Sequence, residues 1–176
     1  MIDFSQNHFA LFGLKPLYRL DQGQLDAAYR RLQGEVHPDR HAAAADAERR
    51  LALQSSARVN EAYQALKNPV DRAQYLLSLN GIDAMSETDT ALPEEFLEQQ
   101  LALREAVSDA AAKHEAGALD RLRSHVQAEM RELESVLEGE LDDARALDAA
   151  RASVRKLKFL SKLGADIESA IADEDA

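Results

Sequence analysis

Apolar residues recur every three or four positions along most of this chain, a spacing typical of amphipathic α-helices. The 176 residues include only 7 Gly and 4 Pro, and each Pro falls between two periodic stretches. Hydrophobic residues make up 45% of the chain and charged residues 30%, which supplies enough apolar side chain for a packed core. The pattern predicts an all-α protein.

The first half of the chain is predicted to contain four helices. Helix-capping residues and the Pro and Gly positions set their limits at residues 7–12, 21–37, 44–67 and 68–81. The second and third helices are joined by a short loop, so we expect them to form an antiparallel hairpin. The aromatic residues expected in the core of this region are Phe4, Phe9, Phe12, Tyr29 and Tyr63.

The second half is predicted to form a three-helix bundle. Residues 82–92 lack a helical period and are rich in turn formers, so they are assigned as a linker. The amphipathic stretches that follow cover residues 94–114, 119–138 and 142–172. Gly117 and Gly139 are assigned as the breaks between them. Short joints between long helices are typical of an antiparallel bundle, which gives predicted domains at residues 1–81 and 93–176.

Charge is distributed unevenly between the two halves. Residues 1–80 contain 10 Lys and Arg against 9 Asp and Glu, whereas residues 81–176 contain 11 against 23. An acidic surface repels phosphate, so nucleic acid is not an expected partner. Two halves of such different charge suggest two different protein partners.

Several function classes lack the residues that they require. The chain contains no Cys, which excludes disulfides, zinc–thiolate sites and thiolate-ligated iron–sulfur clusters. It shows no signal-peptide pattern and no apolar run of membrane-spanning length, so we expect a cytoplasmic protein without a membrane partner. It also lacks a phosphate-binding Gly loop and a Gly-x-Ser-x-Gly nucleophile. We expect neither an enzyme nor a bound cofactor.

The stretch EVHPDRHAAAADAE, residues 35–48, places His37, Pro38 and Asp39 between two predicted helices. Pro38 stops a helix, so the tripeptide alone reads as an ordinary turn. A metal site would need His37, Asp39 and His41 to converge. Pro38 breaks the helix that would align the two His residues, and no distant cluster supplies further ligands. We therefore predict no metal at this loop.

The surrounding pattern resembles a J domain. The resemblance is carried by LYRLDQGQLDAAYRRLQGEVHPDR, by the later VNEAYQALKNP and by the leading FGL, and it covers residues 3–69. It implies that the loop contacts a DnaK-type chaperone and stimulates its ATPase. The chaperone-binding residues that it implies are His37, Pro38, Asp39, Arg30, Arg31 and Arg40.

Some apolar residues of the second half lie off the predicted core stripes. On the first bundle helix, Leu97 and Leu101 fall beside the stripe, with Glu105 one turn further. On the last helix, Phe159 points away from the main stripe, next to Leu163. An aromatic residue off the core stripe is a candidate binding residue. Periodicity alone leaves open whether Phe159 and Leu163 are core or surface.

The sequence after Pro69 resembles the HscB family of iron–sulfur cluster co-chaperones. The segments that carry this resemblance are DRAQYLLSLNG, ALPEEFLEQQLALREAV and VRKLKFLSKL. It implies a protein, expected to be monomeric, that binds the cluster scaffold IscU and presents it to the DnaK-like chaperone HscA. The client-binding positions that it implies are Leu97, Leu101, Glu105 and Phe159. Glu98 and Ala102 depart from the family pattern and are not assigned. A general J-domain co-chaperone with a different client is the alternative.

Overall fold

The computed structural model describes residues 3–37, 45–86 and 92–174. Its α-helices are α1 (His8–Phe12), α2 (Gln22–Val36), α3 (Asp46–Lys67), α4 (Pro69–Leu79), α5 (Glu94–Ala112), α6 (Ala116–Glu138) and α7 (Leu147–Glu174). A π-helical turn, Gly139–Asp143, follows α6. The described ranges contain no β-strand, and the predicted all-α class is confirmed.

The chain divides into two compact units, Met1–Leu76 and Leu77–Ala176. In the first unit α1, α2 and α3 pack against one another. In the second unit α5, α6 and α7 form the bundle, in which α6 and α7 share the most extensive contact. None of the described helices combines the length and the apolar character that a membrane span requires.

Local capping explains where the helices of the first unit begin. The Asp21 carboxylate accepts a hydrogen bond from the Gln24 backbone N–H at 3.1 Å, at the predicted start of α2. The Asn68 side chain accepts from the N–H groups of Val70 and Asp71 and so caps α4, as expected from its place before Pro69. The core of the first unit includes the fully enclosed Phe9, Tyr18, Leu25, Val59, Ala62 and Leu66.

Two aromatic residues differ from their predicted place in this core. Phe4 is 44% exposed, so its assignment to the core is wrong. It precedes α1, where no helical period constrains the direction of its side chain. Tyr29 is only partly buried; one face of its ring stacks on the buried Tyr63, at a centroid distance of 4.0 Å.

The core of the bundle is formed by residues from all three helices. Its buried members are Val107, Ala110, Leu119, Val126, Leu160, Leu163 and Ile167. Leu103, Leu122, Met130 and Leu133 pack against them from the partly exposed edge. Leu163 is therefore a core residue, which settles one half of the question that periodicity left open.

The two predicted helix breaks of the bundle are wrong in position. Gly117 lies in the first turn of α6, and the chain reverses just before it, where His114 adopts a φ of 54°. Gly139 has a φ of −64° and continues α6 into the π-helical turn, and Arg145 takes the positive φ of 51° instead. Glycine is the usual residue at positive φ, so composition directs the prediction to the neighbouring Gly.

Candidate partner-binding surfaces

The α2–α3 hairpin positions the first predicted surface. Helix α2 ends at Val36, and His37 leaves the helical conformation with φ −58° and ψ 128°, as expected for the residue before a proline. The His37 side chain is exposed. Pro38, Asp39, Arg40 and His41 lie outside the described residues.

The outer face of α2 carries the other predicted chaperone-binding residues. Arg30 and Arg31 are both exposed. Asp26, one turn before Arg30, accepts hydrogen bonds from the Gln22 amide at 2.9 Å and the Tyr63 hydroxyl at 3.0 Å. These bonds, with smaller effects of Lys67 and Arg30, lower the pKa of the Asp26 carboxyl. The Asp26 charge is thus engaged within the hairpin itself.

A set of polar contacts links α2 to α3 along the exposed side of the hairpin. Tyr29 donates a hydrogen bond to the Asn60 side chain at 2.8 Å, and the Gln33 amide donates to the same Asn60 oxygen. The Ser56 hydroxyl donates to the side-chain amide oxygen (Oε1) of Gln33 at 3.3 Å. Together with the stacked rings of Tyr29 and Tyr63, these bonds hold the two helices in register, so the loop is attached to a stiff support.

The second predicted surface lies on α5 and α7. Leu97 is 44% exposed, Leu101 60% and Phe159 38%, and Glu105 is exposed as well. The Phe159 ring meets the Phe96 ring edge to face, with centroids 6.4 Å apart, which joins the two helices at this point. We call Leu97, Leu101 and Phe159 the apolar patch. Phe159 is therefore a surface residue, in contrast to the buried Leu163.

A groove of about 420 Å³ lies beside Phe159. Its lining includes three exposed cationic side chains, Arg104, Lys158 and Lys162, and the apolar side chains of Met85 and Leu92. We call it the cationic groove. The groove is not predictable from helical periodicity, because its walls come from three separate segments. The spacing of Lys158 and Lys162 by one helical turn was the available signal.

Arg155 fixes one wall of the cationic groove. It is 8% exposed, and its guanidinium donates to the Ala84 carbonyl at 2.7 Å and to the Ser86 carbonyl at 3.2 Å. Residues 84–86 belong to the segment expected to be a linker, and these bonds attach that part to α7. Residues 87–91 of the expected linker lie outside the described residues. Arg155 thus has an internal role that its exposed neighbour Lys158 does not share.

No resident metal is indicated by the described side chains. Within residues 3–37, 45–86 and 92–174, no group of three or more His, Asp or Glu residues is placed to hold a metal ion.

Comparison with known proteins accounts for both units. Residues 7–75 match the family model of the DnaJ domain, and residues 92–168 match that of the HSCB C-terminal oligomerisation domain. The chain belongs to the HscB co-chaperone family. A co-chaperone protein HscB homolog from Ralstonia nicotianae is 47% identical over 167 residues, which are 95% of each chain.

Solved HscB structures share the fold. Chaperone HscB from Vibrio cholerae is 37% identical, with a TM-score of 0.84 over 96% of this chain and 99% of that one. Human co-chaperone protein HscB is 26% identical, with a TM-score of 0.88 over 95% of this chain and 83% of that one. The predicted fold, an N-terminal J domain followed by the HscB C-terminal bundle, is confirmed. The chain is a J-domain co-chaperone of the HscB type.

Proposed function

We propose that this protein is an adaptor in iron–sulfur cluster biogenesis that binds the scaffold IscU and delivers it to the DnaK-like chaperone HscA. The proposal depends chiefly on one observation: on α5 and α7 the HscB-type bundle leaves the large apolar side chains of Leu97, Leu101 and Phe159 exposed. An exposed apolar cluster on an acidic domain is typical of a protein-binding surface. The domains proposed to carry out this adaptor role are residues 1–81 and 93–176, with residues 82–92 as the linker.

In this proposal the loop at the hairpin tip acts on the chaperone. Pro38 restricts the loop to few conformations, so little entropy is lost on binding. The Asp39 carboxylate is suited to a bidentate pair with an arginine of the partner. The exposed Arg30 and Arg31, with Arg40, supply positive charge that favours association with an acidic surface. ATP hydrolysis takes place in the chaperone, and the adaptor itself catalyses no reaction and holds no cofactor.

The apolar patch supplies the proposed client-binding energy. Full burial of one Leu or Phe side chain contributes roughly 1.5–3 kcal/mol, so three partly exposed side chains can provide several kcal/mol at an interface. Glu105, one turn beyond Leu101, is placed at the polar rim of the same surface. Because one chain holds both partners, the client's effective concentration at the chaperone rises without any new contact between client and chaperone.

The test is reconstitution from purified components. Immobilised protein should retain both the HscA and the IscU homologue of its own organism, and together with IscU it should raise the steady-state ATPase of HscA. Retention of HscA without IscU, together with binding to a broad panel of unfolded peptides, would instead assign it as a general J-domain co-chaperone. Failure to retain HscA would contradict the adaptor role.

The proposed state in solution is a cytoplasmic monomer. The family model that matches residues 92–168 is that of an oligomerisation domain, so the monomeric state needs its own test. Light scattering coupled to gel filtration should give the mass of one chain, 19.4 kDa, over the concentration range of the binding assays. A concentration-dependent rise toward twice that mass would show self-association and contradict the monomer.

A further inference from the structure

The cationic groove differs in charge from the domain that contains it. Residues 81–176 carry 23 acidic and 11 basic side chains, yet the groove presents three exposed cations, Arg104, Lys158 and Lys162. Nearby cations are engaged internally: Lys156 lies over the Phe96 ring at 5.6 Å, and Arg155 binds backbone carbonyls. No ion-pair partner for the three groove cations occurs among the residues that the structure describes.

The groove is continuous with the apolar patch. Phe159 belongs to both, since it lines the groove and is 38% exposed. Arg104 follows Leu101 by three residues and Leu97 by seven, so all three lie on one face of α5. A segment that covers the apolar patch therefore lies next to Arg104 and, at Phe159, next to the groove.

We propose that the cationic groove binds an acidic segment of the client, one whose Asp or Glu side chains lie beside the apolar residues that cover the patch. This inference rests on the proposed function, since the client is the scaffold assigned there. Elsewhere the domain is rich in carboxylates, which repel an acidic segment, so the groove fixes where and in which direction such a segment lies. The patch supplies affinity and the groove supplies orientation and selectivity among apolar partners.

The first test compares two charge-reversal variants with the same change in net charge. K158E/K162E alters the groove, whereas R121E/R131E alters exposed positions on α6 outside it. We expect K158E/K162E to weaken IscU binding by an order of magnitude or so at low salt, because attraction is replaced by repulsion. R121E/R131E should bind like the wild type or only slightly more weakly, because its added negative charge lies outside the groove, and K158R/K162R should bind normally. Circular dichroism checks that each variant is folded.

Salt dependence separates the groove from the patch. Wild-type affinity should fall as salt rises to about 0.3 M, since added ions screen partly exposed pairs. The affinity of K158E/K162E should instead rise with salt, because added ions screen the repulsion. Leu101→Ala should lower affinity at every salt concentration and keep the wild-type salt dependence. Equal binding by K158E/K162E and R121E/R131E would overturn the groove assignment and leave the proposed function intact. If the wild type bound no IscU at any of the salt concentrations tested, both the groove assignment and the proposed function would be overturned.

Zero-length carbodiimide cross-linking tests the chemistry of the occupant directly, because it joins a lysine amine to a carboxylate that lies against it. Mass spectrometry of the cross-linked complex should find Lys158 and Lys162 joined to Asp or Glu residues of the client. Lys113, exposed at the end of α5 and 3.8 Å from the Asp109 carboxylate, is the control outside the groove and should stay unlinked to the client. Cross-links to the client from Lys113 alone would overturn the proposal. It would also be overturned if K158E/K162E still bound the client but no longer bound an anionic vesicle or oligonucleotide that the wild type binds.

Discussion

At the scale of single residues, the exposure of an apolar side chain decides whether it can bind a partner. The sequence predicts that exposure for some residues only. Helical periodicity placed Leu97 and Leu101 off the core stripe, in agreement with their exposure. It could not separate Leu163 from Phe159, because the side chains of neighbouring helices determine which of the two is enclosed. Leu163 joins the core contributed by all three helices, whereas Phe159 meets one ring, that of Phe96.

Truncation of the apolar patch should separate binding from stability. Leu97→Ala and Leu101→Ala should each weaken IscU binding by roughly tenfold, yet change the unfolding free energy by less than about 1 kcal/mol, since both side chains are solvated when free. Calorimetric titration and urea denaturation measure the two quantities. Leu163→Ala is the core control and should cost about 2–5 kcal/mol of stability. A similar loss for Leu101→Ala would show that it is structural.

His8 is expected to make the stability of the first unit dependent on pH. Its side chain is 6% exposed and stacks on Tyr75 at a centroid distance of 4.1 Å. Burial lowers the pKa of the His8 imidazole below its usual 6.5, and the positive charge of Arg58 acts in the same direction. The unfolded chain therefore binds a proton that the folded chain resists, so folding is favoured above pH 6.5 and weakened as pH falls below it.

The corresponding measurement is urea denaturation at about pH 7.5 and about pH 5.5, together with an NMR titration of the histidines. The wild type should be less stable at the lower pH, and His8→Phe, which keeps a ring against Tyr75, should show a smaller difference. A His8 pKa at or above 6.5 in the folded protein would contradict this account.

At the scale of elements, the helix starts of the first unit were predicted to within two residues, whereas the predicted starts of the last two helices, residues 119 and 142, differ from the observed Ala116 and Leu147. Asp21 and Asn68 cap helices through their own side chains, a local interaction that the sequence reveals. The turns at His114 and Arg145 are closed by backbone hydrogen bonds, Glu115 N–H to the Ala110 carbonyl and Ala146 N–H to the Glu140 carbonyl, which need no particular side chain, and the nearby Gly residues misled the prediction. Residues 84–86 lack any period, yet Arg155, some 70 positions later, binds two of their carbonyls.

Loss of the Arg155 guanidinium should release residues 84–86 from α7. Arg155→Ala leaves the carbonyls of Ala84 and Ser86 without this donor and should destabilise the second unit by roughly 1–3 kcal/mol. Hydrogen–deuterium exchange at residues 83–86 should quicken. Lys158→Ala, the exposed neighbour, should leave exchange and stability as they are in the wild type. Unchanged exchange in Arg155→Ala would show that the bonds do not hold the segment.

At the scale of the whole molecule, the resemblance to known families predicted more of the architecture than helical periodicity did. Segment matches identified the family and hence the J domain and the HscB-type bundle, and the comparisons confirm both. The cationic groove stayed out of reach, because residues from three separated segments meet there only after folding. In the proposed adaptor, each unit has its own partner, so damage to one surface should leave the other partner bound.

The most direct test of the adaptor account is the ATPase of HscA measured with IscU and variants of the hairpin loop. His37→Gln and Asp39→Asn should each abolish nearly all stimulation, while circular dichroism and IscU binding match those of the wild type. Arg131→Gln, an exposed change on α6, should stimulate normally. Full stimulation by both loop variants would contradict the claim that this loop acts on the chaperone.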